Sequence, residues 1–315
     1  MNNETMKEIS KEIIKDALKR EIGNMYPEGK VMETTVIKNN ISKLGVTLKL
    51  PNTKATPVVY VDDMYDYYNN VNDLDDTLNK AISMIENSIN SIKNTKLDDA
   101  VFNLIGDIKG NVFPRLVNTK TNEVMLQNNT PHREFLDMSI VYYIEKYNDK
   151  LNCVEAIRVT NELMECENIS EEELYHNSMK NMLEKEKSLL TPMIKIIMNL
   201  KFGIGITPEE KEISKNDFSG GEFIVLSNDY GINGSREILN ISTLKKASEI
   251  AESDLYILPS SIHEVLLISV NEINSSPSEL KNMVSEVNLS EVSEEERLTD
   301  NVYIFKKDTS TIEIA

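Results

Sequence analysis

Two apolar runs, Leu255–Leu258 and Val265–Ile268, flank Pro259-Ser-Ser-Ile-His-Glu264. A strand with one solvated face alternates polar and apolar residues, so runs without that alternation belong to strands covered on both faces. The chain must therefore supply other elements to cover its sheet. Its 315 residues suffice for that, since domains cluster at about 100–200 residues. Between the two runs Pro259 removes a ladder donor, and Ser260 and Ser261 offer hydroxyls to local backbone groups. A bend or bulge is expected there.

The rest of the chain mixes strand-like and helical periods. Met6, Ile9, Ile13, Ala17 and Leu18 recur at helical spacing until Gly23 and Pro27 stop them. Val31–Asn39, Gly45–Leu50 and Val58–Val61 read as strands. Asp62–Tyr68 and Asp73–Lys93 read as helices, the second N-capped by Asp73. Leu97–Ile105 suits a short helix and Asn111–Asn118 a strand. Phe135–Tyr147 has the β-branched and aromatic bias of a strand, with Cys153–Val159 as its return partner. Ser170 with Glu173 forms a capping-box pattern that opens a helix to about Leu189.

Beyond the charged stretch Pro208–Asp217, Glu222–Leu226 is a strand and Asp229–Gly234 a turn. Thr243–Glu252 and Pro277–Val287 are helices, capped by Ser242 or Thr243 and by Ser276. Val302–Lys306 and Thr311–Ile314 close the chain as a hairpin. Tight turns between some strands and helices between others predict an α+β fold, with mainly antiparallel sheet flanked by helices in two lobes. The lobes are expected at residues 1–150 and 151–315, as separate domains or as one continuous body.

Lys plus Arg number 34 against 52 Asp plus Glu, a net charge of -18. Direct binding to nucleic acid, which draws on neutralised phosphates, is disfavoured, and so is a polybasic membrane role. The N-terminal segment has no apolar run of signal-peptide length, and Pro192–Leu200 is too short to span a bilayer. Two cysteines, Cys153 and Cys166, fit a reducing cytoplasm and read as small buried or half-buried residues. Asn-, Lys- and Ile-rich usage without Trp suggests an AT-rich coding sequence from a low-GC bacterium or its mobile elements.

No phosphate loop, dinucleotide fingerprint or zinc-protease motif occurs. No catalytic residue, cofactor or metal site is therefore assigned, and the histidines and cysteines do not lie at ligand spacing. Candidate binding residues are His132, Arg133 and Asp137, then Asn228, then Ser260, Ser261, His263 and Glu264. On a helix Arg133 and Asp137 would form an i,i+4 pair, either a simple ion pair or an anion-binding Arg oriented by its carboxylate. Ser261, His263 and Glu264 have the ingredients of a hydrolytic triad. On a strand, however, Glu264 would face away from the imidazole. His263 is instead expected to be largely buried, holding the bend. His176 reads as a surface helix residue.

Phe223-Ile-Val-Leu-Ser-Asn228, Asp254-Leu-Tyr-Ile-Leu-Pro-Ser-Ser-Ile-His-Glu-Val265 and Asp300-Asn-Val-Tyr303 resemble segments of an uncharacterised Firmicutes family, domain-of-unknown-function family 5688. Val59-Tyr-Val-Asp62, Pro131–Asp137 and Glu172–Asn177 fit the same pattern. The chain departs from it after Gly234, where Ser235-Arg-Glu-Ile238 replaces a run of small residues. The resemblance implies a fold and no activity. The expected function is non-catalytic binding of a macromolecular partner, most simply another protein, with no prediction of oligomeric state. The alternatives are an acidic phage or mobile-element inhibitor that mimics nucleic acid against a bacterial defence nuclease, and a hydrolase using Ser261 and His263.

Overall fold

The computed structural model describes residues 9–51, 56–94, 106–148, 153–202, 213–259 and 261–315. The fold is α+β, and every described strand pairing is antiparallel. The chain divides into two compact units, Met1–Gly106 and Asp107–Ala315. The boundary expected at residue 150 falls inside a hairpin, where Tyr143–Asn148 pair with Cys153–Arg158. The helix expected at Leu97–Ile105 lies outside the described residues.

In the first unit, helix α1 (Lys11–Met25) is capped by the Ser10 hydroxyl. Its residues Ile14, Leu18 and Ile22, spaced four apart, are buried. Strands β1 (Lys30–Ile37), β2 (Ser42–Lys49) and β3 (Val58–Tyr60) form a meander. Helix α2 (Val61–Val71) ends on left-handed Asn72, and α3 (Leu74–Asn94) follows. The Asp73 carboxylate accepts from the Asp76 amide at 3.0 Å, as an N-cap should. Val46, Leu48, Val59, Met64, Ala81 and Ile85 join the α1 residues in one core.

The second unit holds two sheets. In the first, β6 (Met138–Asn148) pairs with β4 (Val112–Asn118), β5 (His132–Phe135) and β7 (Cys153–Arg158). The expected strand at Phe135–Tyr147 is thus two strands, broken at Leu136, whose φ of +58° makes the turn. Helix α4 (Asn161–Glu167) leads to α5 (Glu171–Lys185), which has the expected capping box between Ser170 and Glu173.

The six-stranded sheet runs β13-β12-β10-β11-β9-β8. Its strands are β8 (Ser188–Pro192), β9 (Ile224–Asn228), β10 (Leu255–Leu258), β11 (Val265–Ser269), β12 (Tyr303–Lys306) and β13 (Thr311–Ile314). The apolar runs β10 and β11 are neighbours and almost wholly buried. Leu280 and Val284 of helix α8 (Pro277–Ser290) pack on Tyr256, Leu258 and Ile268, giving that sheet the cover its composition requires. Helix α6 (Met193–Phe202) follows β8 directly, and α7 (Ile241–Ala251) is capped by Asn240 in place of the expected Ser242 or Thr243.

Candidate functional site

The loop between β10 and β11 closes on itself. Ser261 Oγ donates to Glu264 Oε1 at 2.8 Å and accepts from the His263 amide at 2.9 Å. The His263 ring accepts at Nδ1 from the Asn233 amide at 3.2 Å, leaving Nε2 facing Glu296 at 3.6 Å. Ser261 thus gives its proton to a carboxylate and not to an imidazole, so no Ser-His-acid relay forms. His263 is about 30% exposed, not largely buried as expected, because the segment is a loop running past the turn at Asn233. Ser260 lies outside the described residues. The loop also meets Gly234, where a Cβ would lie 2.6 Å from the His263 carbonyl oxygen and 2.7 Å from the Asn228 nitrogen.

The His132–Asp137 group is strand and turn, so the helical i,i+4 pairing does not occur. His132 is exposed, with Nδ1 2.9 Å from the Thr130 carbonyl. Arg133 stacks on Tyr175 at 3.9 Å and pairs with Glu171 at 2.7 Å and Glu172 at 2.5 Å. Asp137 accepts instead from Thr299, Asn301 and Tyr303, at 2.7, 2.8 and 2.5 Å. Burial and that bond to Asp137 push the Tyr303 phenol pKa upward. Asp137 therefore fastens the C-terminal strands to the β5–β6 turn.

The densest charge cluster was not singled out from the sequence. Arg236 lies in the 3-10 turn Gly234–Leu239 and is 1% exposed. Its Nε donates to Glu186 at 2.9 Å and Nη1 to the Pro114 carbonyl at 3.2 Å and Glu145 at 3.0 Å. Nη2 donates to Glu145 at 3.0 Å and also to Glu186. All five guanidinium protons are thereby used. Arg115 binds the other Glu145 oxygen at 2.6 Å.

The two carboxylates respond differently. Burial opposes ionisation of Glu145, yet Arg115 and Arg236 together outweigh it and its pKa falls. Burial dominates at Glu186, which shares only Arg236 and feels the Glu145 charge, so its pKa rises. Asn228, a sequence candidate, reaches Glu186 Oε2 at 3.4 Å and holds its own turn through Ile232. Glu237, next to Arg236, is also 1% exposed. Burial, with the Glu186 charge behind it, pushes its carboxyl up to about 7.

A cleft of about 180 Å³ opens beside the cluster, walled by Phe113, Tyr147 and Tyr230, with Lys146 and Lys185 among its lining. None of His132, Arg133 and His263 lines it. Among the described residues no group of three His, Cys, Asp or Glu side chains is placed to hold a metal ion. None of the described helices is long and apolar enough to cross a membrane. Cys166 is exposed, contrary to the buried or half-buried place expected of it.

Helix α6 presents a second anomaly. Seven of its ten residues, MIKIIMNLKF, are apolar, and none of the ten is buried. Ile194, Ile197, Met198 and Phe202 are exposed at spacings of three, four and eight from the first, which is one helical face. By its sequence alone this stretch is marked only as too short to span a bilayer.

A family model described as a family of unknown function, DUF5688, matches residues 7–307. The chain belongs to that family. No curated protein and no solved structure matches it. The family spans both compact units, including the Arg236 cluster, α6 and the β10–β11 loop.

Proposed function

We propose that this DUF5688 protein acts in the cytoplasm by binding another protein, without chemistry of its own, and that α6 is the contact helix. The observation that carries the reading is the exposed stripe of Ile194, Ile197, Met198 and Phe202. Contiguous apolar surface of this kind marks interaction sites, and the spacing is that of anchors laid into a hydrophobic groove. Full burial of such a side chain is worth about 1.5–3 kcal/mol. The only charged residues on α6 are Lys195 and Lys201. Lys195 already lies 3.9 Å from Asp217 within the chain, so a fitting partner is specified by an apolar groove.

The test compares Ile197→Glu/Met198→Glu with a control change, Leu289→Glu, at an exposed apolar site on α8. Partners are captured by cross-linking in cells, then purified and titrated by calorimetry. The α6 variant should lose at least about tenfold in affinity while the control binds as wild type. Equal binding by both variants would overturn the assignment, and so would self-association or vesicle binding as the only activity that depends on the stripe.

The acidic-mimic reading, with its phage or mobile-element origin, draws on the net charge of -18. It is supported less, because one of the longest acidic runs is internally engaged. Arg133 takes Glu171 and Glu172, while Ser170 and Lys109 hold Glu173 and lower its pKa to about 2. A mimic's binding to a nuclease should weaken steeply with added salt.

A further inference from the structure

We infer that the Glu237 carboxyl is a pH-sensitive latch that fastens β8, and with it the root of α6, to the 3-10 turn Gly234–Leu239. Ser188, the first residue of β8, is the point of attachment. Its Oγ donates to Glu237 Oε2 and accepts from Asn240 Nδ2 at 2.9 Å and Thr243 Oγ1 at 3.0 Å. One hydroxyl thus joins β8 to the turn and to the start of α7. β8 is an edge strand, paired with β9, and its last residue, Pro192, is followed at once by Met193 of α6. Loosening Ser188 would free the strand from which α6 is presented.

Glu237 is suited to this role by its neighbours. Glu145 and Glu186 occupy the Arg236 guanidinium, and the bonds that Glu237 accepts from the neutral Ser188 and Asn240 favour its ionised form less than burial and the Glu186 charge oppose it. Ionising it places three buried carboxylates against two guanidiniums, Arg115 and Arg236. A buried excess charge is unfavourable, so the group resists ionisation until the solution is near neutral.

The remaining packed elements offer no relief. β8, β9 and β11 contain no ionisable residue. Arg115 of β4 is taken by Glu145, and Lys245, Lys246 and Glu249 of α7 are exposed. For a carboxyl raised from 4.5 to about 7, the stabilising contribution is full below the lower value and fades as pH rises through the higher one. The latch is closed in mild acid and weakened in mild base.

The inference does not depend on α6 having a partner, and it is tested on the free protein. Hydrogen exchange of residues 188–202, corrected for intrinsic rates, is compared at about pH 5.5 and about pH 8.5. Protection in the wild type should fall by about tenfold or more at the higher pH, while that of β10 and β11 holds. In Glu237→Gln the segment should lose that pH dependence. Wild-type protection that ignores pH, or a variant that keeps the wild-type trend, would overturn the latch. If the variant fails to fold, carbon NMR titration of the wild-type Glu237 carboxyl decides. A midpoint near 7 supports the latch, and one at an ordinary carboxylate value contradicts it.

Discussion

The Arg236 cluster and helix α6 invert the usual placement of residue types in the same unit. Around Arg236, charged side chains are almost wholly buried. Along α6, apolar side chains stand in solvent. The five residues of β8 separate the two. Both departures are informative, since buried charge and exposed apolar surface each need a reason. The buried charges find theirs inside the chain, because every guanidinium proton of Arg236 has an acceptor. Among the described residues nothing covers the α6 stripe, and for that reason a partner is proposed for it and not for the cluster.

The sharpest way to break this contrast is to remove the centre of the cluster. Arg236→Met leaves Glu145 short of one guanidinium and Glu186 with none, and should cost about 3–5 kcal/mol in urea unfolding. A loss below about 1 kcal/mol would show that the cluster does not hold the unit together. Glu237→Gln should act in the opposite direction and depend on pH. A raised carboxyl costs stability progressively as pH rises from its unfolded pKa through its folded one. The variant should therefore exceed wild type by up to about 3 kcal/mol at pH 8.5 and match it near pH 4.5. A constant difference across that range would remove Glu237 as the cause.

His263→Ala probes the β10–β11 loop, where the sequence suggested a buried residue. With the ring partly exposed and the Asn233 amide as its hydrogen-bond donor, the expected loss is about 1 kcal/mol in a thermal melt. An unchanged midpoint would defeat its structural role. A loss above about 3 kcal/mol would mean the imidazole does more than accept one amide.

What the sequence revealed and what it concealed follow the range of the interactions. Apolar β10 and β11, the Ser170 capping box and the Ser276 and Asp73 caps depend on residues a few positions apart, and each reads directly. Arg236 finds its acceptors 50, 91 and 122 residues away, so no local pattern marks it. Arg133 and Asp137 misled for a related reason. Four-residue spacing suggested one helix face, whereas left-handed Leu136 turns the chain and sends the two side chains to different partners. Helix α6 is not marked by its sequence, because apolar content alone does not distinguish a buried helix from an exposed one.

The claim that α6 faces a partner is tested most directly by calorimetric titration of a protein captured through that helix, with wild type and Ile197→Glu/Met198→Glu. Binding should show the negative heat-capacity change of apolar burial. The variant should lose at least about tenfold in affinity while its own stability stays within about 0.5 kcal/mol of wild type. Undiminished binding by the variant, or no captured protein whose binding depends on the stripe, would contradict the proposed role of α6.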